Sequence, residues 1–292
     1  MSRGLEVGPV SDPSDEVASG SAAEAAAADR EAVDVEDGRY LYCLVDIADT
    51  EPALSATGVA EEPVHVVGSG SVGAVVHDCD AIYDTDDPET MREWVLAHQR
   101  VVDAADDVFG TPLPIRFDTV LEGGDEGVRE WLADRGEEVR GALDRFAGTK
   151  EYRIHLVWDD DGFAERVADE DEKLCEIDAD IEASSEGEAF LLEKERENRL
   201  RELQAAHREE LATALEDAVD PFVEDRIEQD DVPSSLRPEA GEGDVVTRLA
   251  VLAREADEGE LGDALDEVAE RDGVAIKFTG PWPPYTFAPD IG

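Results

Sequence analysis

Tyr40-Leu41-Tyr42-Cys43-Leu44-Val45 is apolar at every position. A strand covered on both faces reads this way, so 40–45 is expected at the centre of a sheet. Two β-branched runs follow at 64–67 and 72–76, and Gly68-Ser69-Gly70 between them signals a hairpin. At Asp87-Pro88, a cap followed by a first-turn proline, the period changes. Met91, Trp94, Val95, His98, Val101, Val102, Ala105 and Phe109 then recur at helical spacing on one stripe. Residues 113–117 read as a short extended segment. A second helix follows, with Val128, Trp131, Leu132, Val139, Leu143 and Phe146 inward.

A boundary is expected near Gly148. Tyr152, Ile154, Leu156 and Trp158 alternate with polar positions, which predicts a strand over 150–158. A helix over about 162–168 and an acidic connection come next. Ser185-x-x-Glu188 is a capping box that opens a long helix ending near Asp220. Its stripe is Leu200, Leu203, His207, Leu211, Leu215 and Phe222, and its length is on the order of 50 Å. Glu195/Arg199 and Glu197/Arg201 are expected as i, i+4 pairs along it. A short strand near 226–230, a strand over 245–253, a helix face of Leu261, Leu265 and Val268, and a strand through Val274, Ile276 and Phe278 complete the chain.

The second half therefore has the order β-α-β-β-α-β of a ferredoxin-like sandwich. The expected fold is α+β in two domains. Residues 38–148 form a modified ferredoxin-like sheet with helices. Residues 149–292 form a ferredoxin-like domain with a long helix and an aromatic, proline-rich tail. Residues 1–37 contain no aromatic residue and are rich in Ala, Glu, Asp, Ser and Gly. Such a segment buries too little surface to offset ordering entropy, so a disordered acidic arm is expected.

Charge changes the picture most. Asp and Glu number 76 against 25 Lys and Arg, a formal net charge of −51. At low salt such a chain repels itself; near 1 M the Debye length falls to roughly 3 Å and the repulsion is screened. The composition points to a salt-rich cytosol. It excludes nucleic acid and anionic membrane surfaces as partners, because no segment supplies a basic patch. Cys43, Cys79 and Cys175 show no C-x-x-C spacing and read as small hydrophobes. There is neither a run of about 20 apolar residues nor a signal-peptide start, so a cytoplasmic protein is expected.

Candidate chemistry is sparse. Gly68-Ser69-Gly70-Ser71-Val72-Gly73 matches G-x-G-x-x-G, but no helix opens after it, so it reads as the hairpin and not as a dinucleotide loop. The carboxylates from Asp78 to Glu89 lack a calcium-loop pattern. His98, His155 and His207 have no partner at metal-ligand spacing and read as core or domain-contact residues. No catalytic, cofactor-binding or metal-ligating residue is assigned.

Two segments stand apart. In Leu113-Pro114-Ile115-Arg116-Phe117-Asp118-Thr119, Arg116 is a lone cation beside an apolar run, with a buried or half-buried ion pair as its plain role. The tail Phe278-Thr279-Gly280-Pro281-Trp282-Pro283-Pro284-Tyr285-Thr286-Phe287 is stiffened by its prolines, which suits either an aromatic contact surface or a seal over its own sheet. The first segment resembles the L-P-[VIL]-R-F-G-T stretch of the GvpF/GvpL gas vesicle proteins. The second is similar to that family's T-G-P-W-P-P-Y-x-F ending. Gly187-Glu188-Ala189-Phe190-Leu191-Leu192 adds to the likeness, which covers about residues 38–288. Asp118 departs from it, standing where the family usually has Gly. The length and acidic arm look most like the haloarchaeal GvpL branch.

The resemblance implies an accessory protein of gas vesicle formation. It implies binding to the hydrophobic shell protein GvpA and to other accessory Gvp proteins, and no catalytic residues or cofactors. Arg116, Phe117, Trp282, Pro283, Pro284, Tyr285 and Phe287 are the candidate interaction or structural-signature residues. The competing reading is a ferredoxin-like small-ligand-binding regulator or an enzyme, which needs a deep pocket with convergent polar groups. The charge yields a first prediction. Circular dichroism should show cooperative thermal unfolding in several molar salt and its loss as salt approaches zero; full retention at low salt would count against the halophilic reading.

Overall fold

The structure, a computed structural model, describes residues 34–48, 53–229 and 243–291. Residues 1–33 of the expected arm lie outside the described residues. Residues 34–37 belong to the first strand, and Val35 is buried.

The first sheet is built around β1 (Asp34–Asp46), with β2 (His65–Ser69), β3 (Val72–Ala81), β4 (Leu113–Pro114) and β5 (Val120–Leu121). Its order is β2-β3-β1-β4, β5 also pairs with β1, and every pairing is antiparallel. The glycine run forms the β2–β3 hairpin. Ser69 pairs with Val72, so Gly70 and Ser71 make the turn, and Gly70 has φ +63°, a conformation glycine adopts without strain.

The uninterrupted apolar run of β1 has a structural cause. The register shifts between Leu41 and Cys43, a bulge that resets the alternation of faces. Tyr40, Tyr42, Cys43 and Val45 pack towards α1 (Pro88–Phe109), against Ala97, Val101, Val102 and Ala105. Leu41 and Leu44 pack towards α2 (Gly124–Phe146), against Val128, Leu132, Val139, Leu143 and Phe146. The sheet is thus covered on both faces, and burying each large aliphatic side chain contributes about 1.5–3 kcal/mol. Asp87 caps α1 as expected, accepting from the N–H of Glu89 at 3.3 Å and of Thr90 at 3.2 Å.

The second sheet comprises β6 (Thr149–Trp158), β7 (Val223–Glu228), β8 (Asp244–Arg254) and β9 (Val274–Trp282) in the order β7-β8-β6-β9, again all antiparallel. Between β6 and β7 lie α3 (Phe163–Glu170), α4 (Glu172–Ala183) and α5 (Glu186–Val219); α6 (Glu258–Ala269) joins β8 to β9. Tyr152, Ile154, Leu156 and Trp158 of β6 face Leu211, Leu215 and Val219 of α5 and Leu261, Leu265 and Val268 of α6.

The acidic connection expected after α3 is a helix, α4. Asp171 caps it by accepting from the N–H of Leu174 at 2.9 Å, and Leu174 and Ile177 bury its inner face. The i, i+3 apolar spacing was present but diluted by charge. The capping box at Ser185 and Glu188 opens α5, which runs for 34 residues, about 50 Å. The expected pairs along it give way to others. Arg199 reaches across to Asp171 at 2.7 Å and along to Glu202, and Arg201 donates to Asn198. Only the C-terminal half of α5 is buried; Phe190 and Leu191 near its start are exposed.

The two sheets meet near Gly148. Leu252 of β8 joins the cluster under α2, and Thr111 Oγ1 donates to the carbonyl of Thr149 at 3.1 Å. Lys150 Nζ pairs with Asp106 of α1, with both side chains largely buried, and the second oxygen of Asp106 has no partner. Burial and the neighbouring Asp106 and Asp107 push the Asp103 carboxyl up, while Lys150 opposes this. Lys150→Ala should therefore destabilise the fold by about 3–5 kcal/mol, because it strands a buried carboxylate. The double variant Lys150→Met with Asp106→Asn should recover much of the loss. Thermal unfolding midpoints in molar salt check both.

Candidate functional site

The segment 115–119 is held against β1 at both ends. The Ile115 N–H donates to the carbonyl of Tyr42 and the Leu41 N–H to the carbonyl of Thr119, each at 2.9 Å. Between these anchors the chain swings outward, leaving the Arg116 side chain 78% exposed and paired with Asp290 from the tail. Phe117 turns inward, edge-on to Tyr40 and His98 with ring centroids 6.0 Å away. Asp118 adopts φ +64°. Glycine takes this backbone freely and Asp is among the few other residues that tolerate it. Its carboxylate accepts from the Tyr83 N–H at 2.8 Å, and its own N–H donates to the Tyr40 hydroxyl at 3.2 Å. The departure from glycine is thus accommodated by two local hydrogen bonds.

Beneath Phe117 lies a buried Tyr/His network that the sequence reading missed. His98 Nε2 donates to the carbonyl of Ile115 at 3.1 Å, which makes Nδ1 the acceptor for the Tyr40 hydroxyl at 2.8 Å. The Tyr42 hydroxyl accepts from the buried Val59 N–H at 2.8 Å and donates to His77 Nδ1 at 2.7 Å. His77 Nε2 then donates to the Tyr83 hydroxyl at 2.9 Å. Tyr40 and His77 stack with centroids 4.9 Å apart. The signal was weak: Tyr40 and Tyr42 share a strand face, but only the β1–β3 register brings His77 opposite Tyr40. Gly58 makes room for the network, since a Cβ there would stand 1.9 Å from the Tyr42 oxygen. Every described imidazole nitrogen in it has a partner, so it reads as a satisfied polar core, and His98 fills the core role expected of it.

The tail divides. β9 continues through Trp282, which pairs with Glu151 in the register and remains 42% exposed. The chain then turns inward at Pro283 and Pro284, both buried. Tyr285 packs into the cluster of Tyr40 and Tyr42, and Phe287 into the cluster under α2. The turn is fixed by Glu151, whose carboxylate accepts from the Thr286 N–H at 2.6 Å and its hydroxyl at 2.7 Å. Arg116 and Tyr285 line one shallow cleft of 220 Å³ with Ile115, Thr119 and Asp290. Phe117, Tyr285 and Phe287 thus face the interior, while Arg116 and Trp282 face solvent on different sheets.

Two other groupings carry less. His65, Asp78 and Asp125 approach one another, but the Arg39 guanidinium already lies among them, 2.8 Å from Asp125 and 3.2 Å from Asp78. The groove of 680 Å³ between α5 and α6 is open and lined by Asp217, Glu260, Asp263 and Glu267, the opposite of an enclosed site with convergent donors. Among the described residues no helix is long and apolar enough to cross a membrane.

An α+β protein of two antiparallel sheets, its tail folded back with Trp282 turned outward, is the class of molecule defined so far. Residues 38–289 match the family described as gas vesicle synthesis protein GvpL/GvpF, and the chain belongs to that family. It is 53% identical over 260 residues to gas vesicle protein L1 of Halobacterium salinarum, covering 88% of this chain and 92% of that one. It is 47% identical to gas vesicle protein L of Haloferax mediterranei, covering 88% and 89%. The fold is similar to the crystal structure of GvpF from Anabaena, with a TM-score of 0.67 at 19% identity over 87% of this chain and 99% of that one.

Burial holds His77 and His98 at about 4, well below the ordinary imidazole value. Both are therefore neutral in the folded protein near pH 7. The unfolded chain takes up their protons below about pH 6.5 and the folded one does not, so stability is present above that value and is lost as pH falls towards 4. Between pH 7 and pH 5 each histidine should cost about 2 kcal/mol of stability. Melting midpoints in molar salt should fall over that interval; a flat profile would contradict a neutral buried pair.

Proposed function

We propose that this protein is a non-enzymatic accessory factor of gas vesicle formation. In this reading it binds the hydrophobic shell protein GvpA and other accessory Gvp proteins in the cytoplasm during nucleation and assembly, and it needs no cofactor. Family membership supports the process. The exposed Trp282 supports the binding role: it is rigidly placed at a strand end, while its aromatic neighbours in the tail are turned inward. A shell subunit is very apolar and must be kept from aggregating before assembly. An acidic chaperone-like surface with a fixed aromatic anchor meets that need.

The same reading takes the chain as two units, 38–148 and 149–292. The strand order β7-β8-β6-β9, with α3–α5 and α6 as crossovers on one face, supports a ferredoxin-like second domain.

Trp282→Ala should impair gas vesicle formation in cells while leaving the melting midpoint in molar salt nearly unchanged. It should weaken co-purification with tagged shell protein by about tenfold or more, as loss of an interface anchor does. Tyr285→Ala should behave differently and lower stability by about 3–5 kcal/mol. Normal vesicles and undiminished co-purification with Trp282→Ala would remove Trp282 from the binding role.

A further inference from the structure

In a chain with 76 acidic residues, a group of cations left without carboxylate partners among the described residues needs a cause. Most described cations are matched: Arg39, Arg140, Arg199 and Arg226 each meet two carboxylates or more. The face of the second sheet turned away from α5 and α6 is different. His155 of β6 stands directly opposite Arg248 of β8 on one side and Lys277 of β9 on the other. Arg153 lies two residues along β6, on the same face by strand alternation. Three fixed cations thus surround one imidazole across three strands. Among the described residues neither Arg248 nor Lys277 has an ion-pair partner. The nearby carboxylate, Glu151, is fully buried and committed to Thr286, with one further contact from Arg153 Nε at 3.2 Å. Burial, then Arg248, Lys277 and Arg153, lowers the His155 basicity.

Apolar groups flank the cations. Trp282 lies opposite Glu151 at one end of the β6 row, and Ile227 lies opposite Ala250 on β7, 41% exposed. With strands about 4.8 Å apart, the cations span roughly 10 Å of open sheet. That footprint fits an extended or helical segment of protein, whereas a small anion is held by convergent donors in a pocket.

We propose that this outward face, with Arg153, His155, Arg248 and Lys277 between Trp282 and Ile227, docks a carboxylate-rich segment of a partner protein. Its Asp or Glu side chains accept from the guanidinium and ammonium groups, and its apolar positions cover the indole and the isoleucine. The inference goes beyond the shell-protein reading and does not depend on it. Net charge works against an acidic partner at long range, so contact forms where salt screens the repulsion beyond roughly 3 Å and leaves hydrogen-bonded pairs in place.

The test uses the full chain in molar salt and a fluorescent dodecapeptide of alternating Glu and Val, followed by anisotropy. The wild-type protein should bind it, and a Gln-for-Glu version should bind much more weakly. Arg248→Glu with Lys277→Glu should weaken binding by about tenfold or more, as reversing contacting charges does. Arg92→Glu with Arg100→Glu makes the same net change on exposed positions of α1 and should leave binding intact. If the first pair fails to unfold cooperatively, Arg248→Gln with Lys277→Gln replaces it with the same expectation. The assigned His155 resonance should titrate at higher pH with peptide bound. Absence of wild-type binding, or equal weakening by both charge-reversal pairs, overturns the proposal. So does equal competition by an oligonucleotide, which would mean charge alone. Sedimentation showing self-association lost with Arg248→Glu and Lys277→Glu would give the face to a second copy and also overturn it. Shell-protein co-purification, measured in parallel, separates this outcome from failure of the functional reading.

Discussion

A single buried carboxylate organises this molecule. Glu151 has no exposed surface, in a chain whose surface is dominated by the same chemical group. Taking a carboxylate out of water is tolerated only where donors replace the solvent. Thr286 supplies two of them and Arg153 the third. Because Thr286 is fixed, its neighbours are fixed on opposite sides of it: Tyr285 enters the aromatic cluster over β1, and Phe287 the cluster under α2. Asp290 then meets Arg116, and Ile291 is buried. One residue of the second sheet therefore routes the tail through both cores of the first. It also determines by exclusion that Trp282, just before the inward turn, stays outside.

The second constraint is the scarcity of cations. With 25 basic residues for 76 acids, most carboxylates must be left to water and salt. Several of the cations join separate elements of the fold. Lys150 meets Asp106 where the two sheets adjoin, Arg199 ties α5 to the capping residue of α4, and Arg39 gathers Asp37, Asp78 and Asp125 beside the first sheet. Exposed ion pairs contribute little, but a pair that spans two elements fixes their relation. Against that pattern Arg248 and Lys277, which have no ion-pair partner among the described residues, stand apart.

Much of this architecture was legible in the residues. The continuous apolar run at Tyr40–Val45 marked the central strand, and the β-branched residues after Gly70 separated a hairpin from a nucleotide loop. Asp87-Pro88 and Ser185-x-x-Glu188 marked helix starts that the structure places within a residue. What was not legible depended on register or on distance in sequence. The bulge at Leu41–Cys43, which puts Cys43 and Val45 on the same face as Tyr40 and Tyr42, leaves no mark in an all-apolar run. The α4 helix was hidden because acidic residues on its outer face diluted Leu174 and Ile177. The tail's aromatic residues were recognised as a group, but whether each faces in or out depends on Glu151, more than a hundred residues earlier. The cationic row on the second sheet was invisible for the same reason: Arg153, His155, Arg248 and Lys277 come from three strands and share a face only once these pair.

Salt sets the terms on which any surface of this protein can act. With the Debye length near 3 Å, long-range attraction cannot steer a partner, and charge counts only at contact. Apolar contact keeps its strength under the same conditions, and excluded salts increase it. An interface that works there must pair an apolar anchor with charges that touch. Trp282 provides the first at the end of β9, opposite Glu151, and the row through His155 provides the second four residues along the neighbouring strand. Neither suffices alone: an isolated exposed indole gives affinity without orientation, and isolated screened cations give neither. Their placement on one face of one rigid sheet follows from the β6–β9 register. The tail's inward turn keeps Tyr285 and Phe287 from competing as alternative anchors. The seal and the display are in this sense the same device, since the buried half of the tail is what holds the exposed half in place.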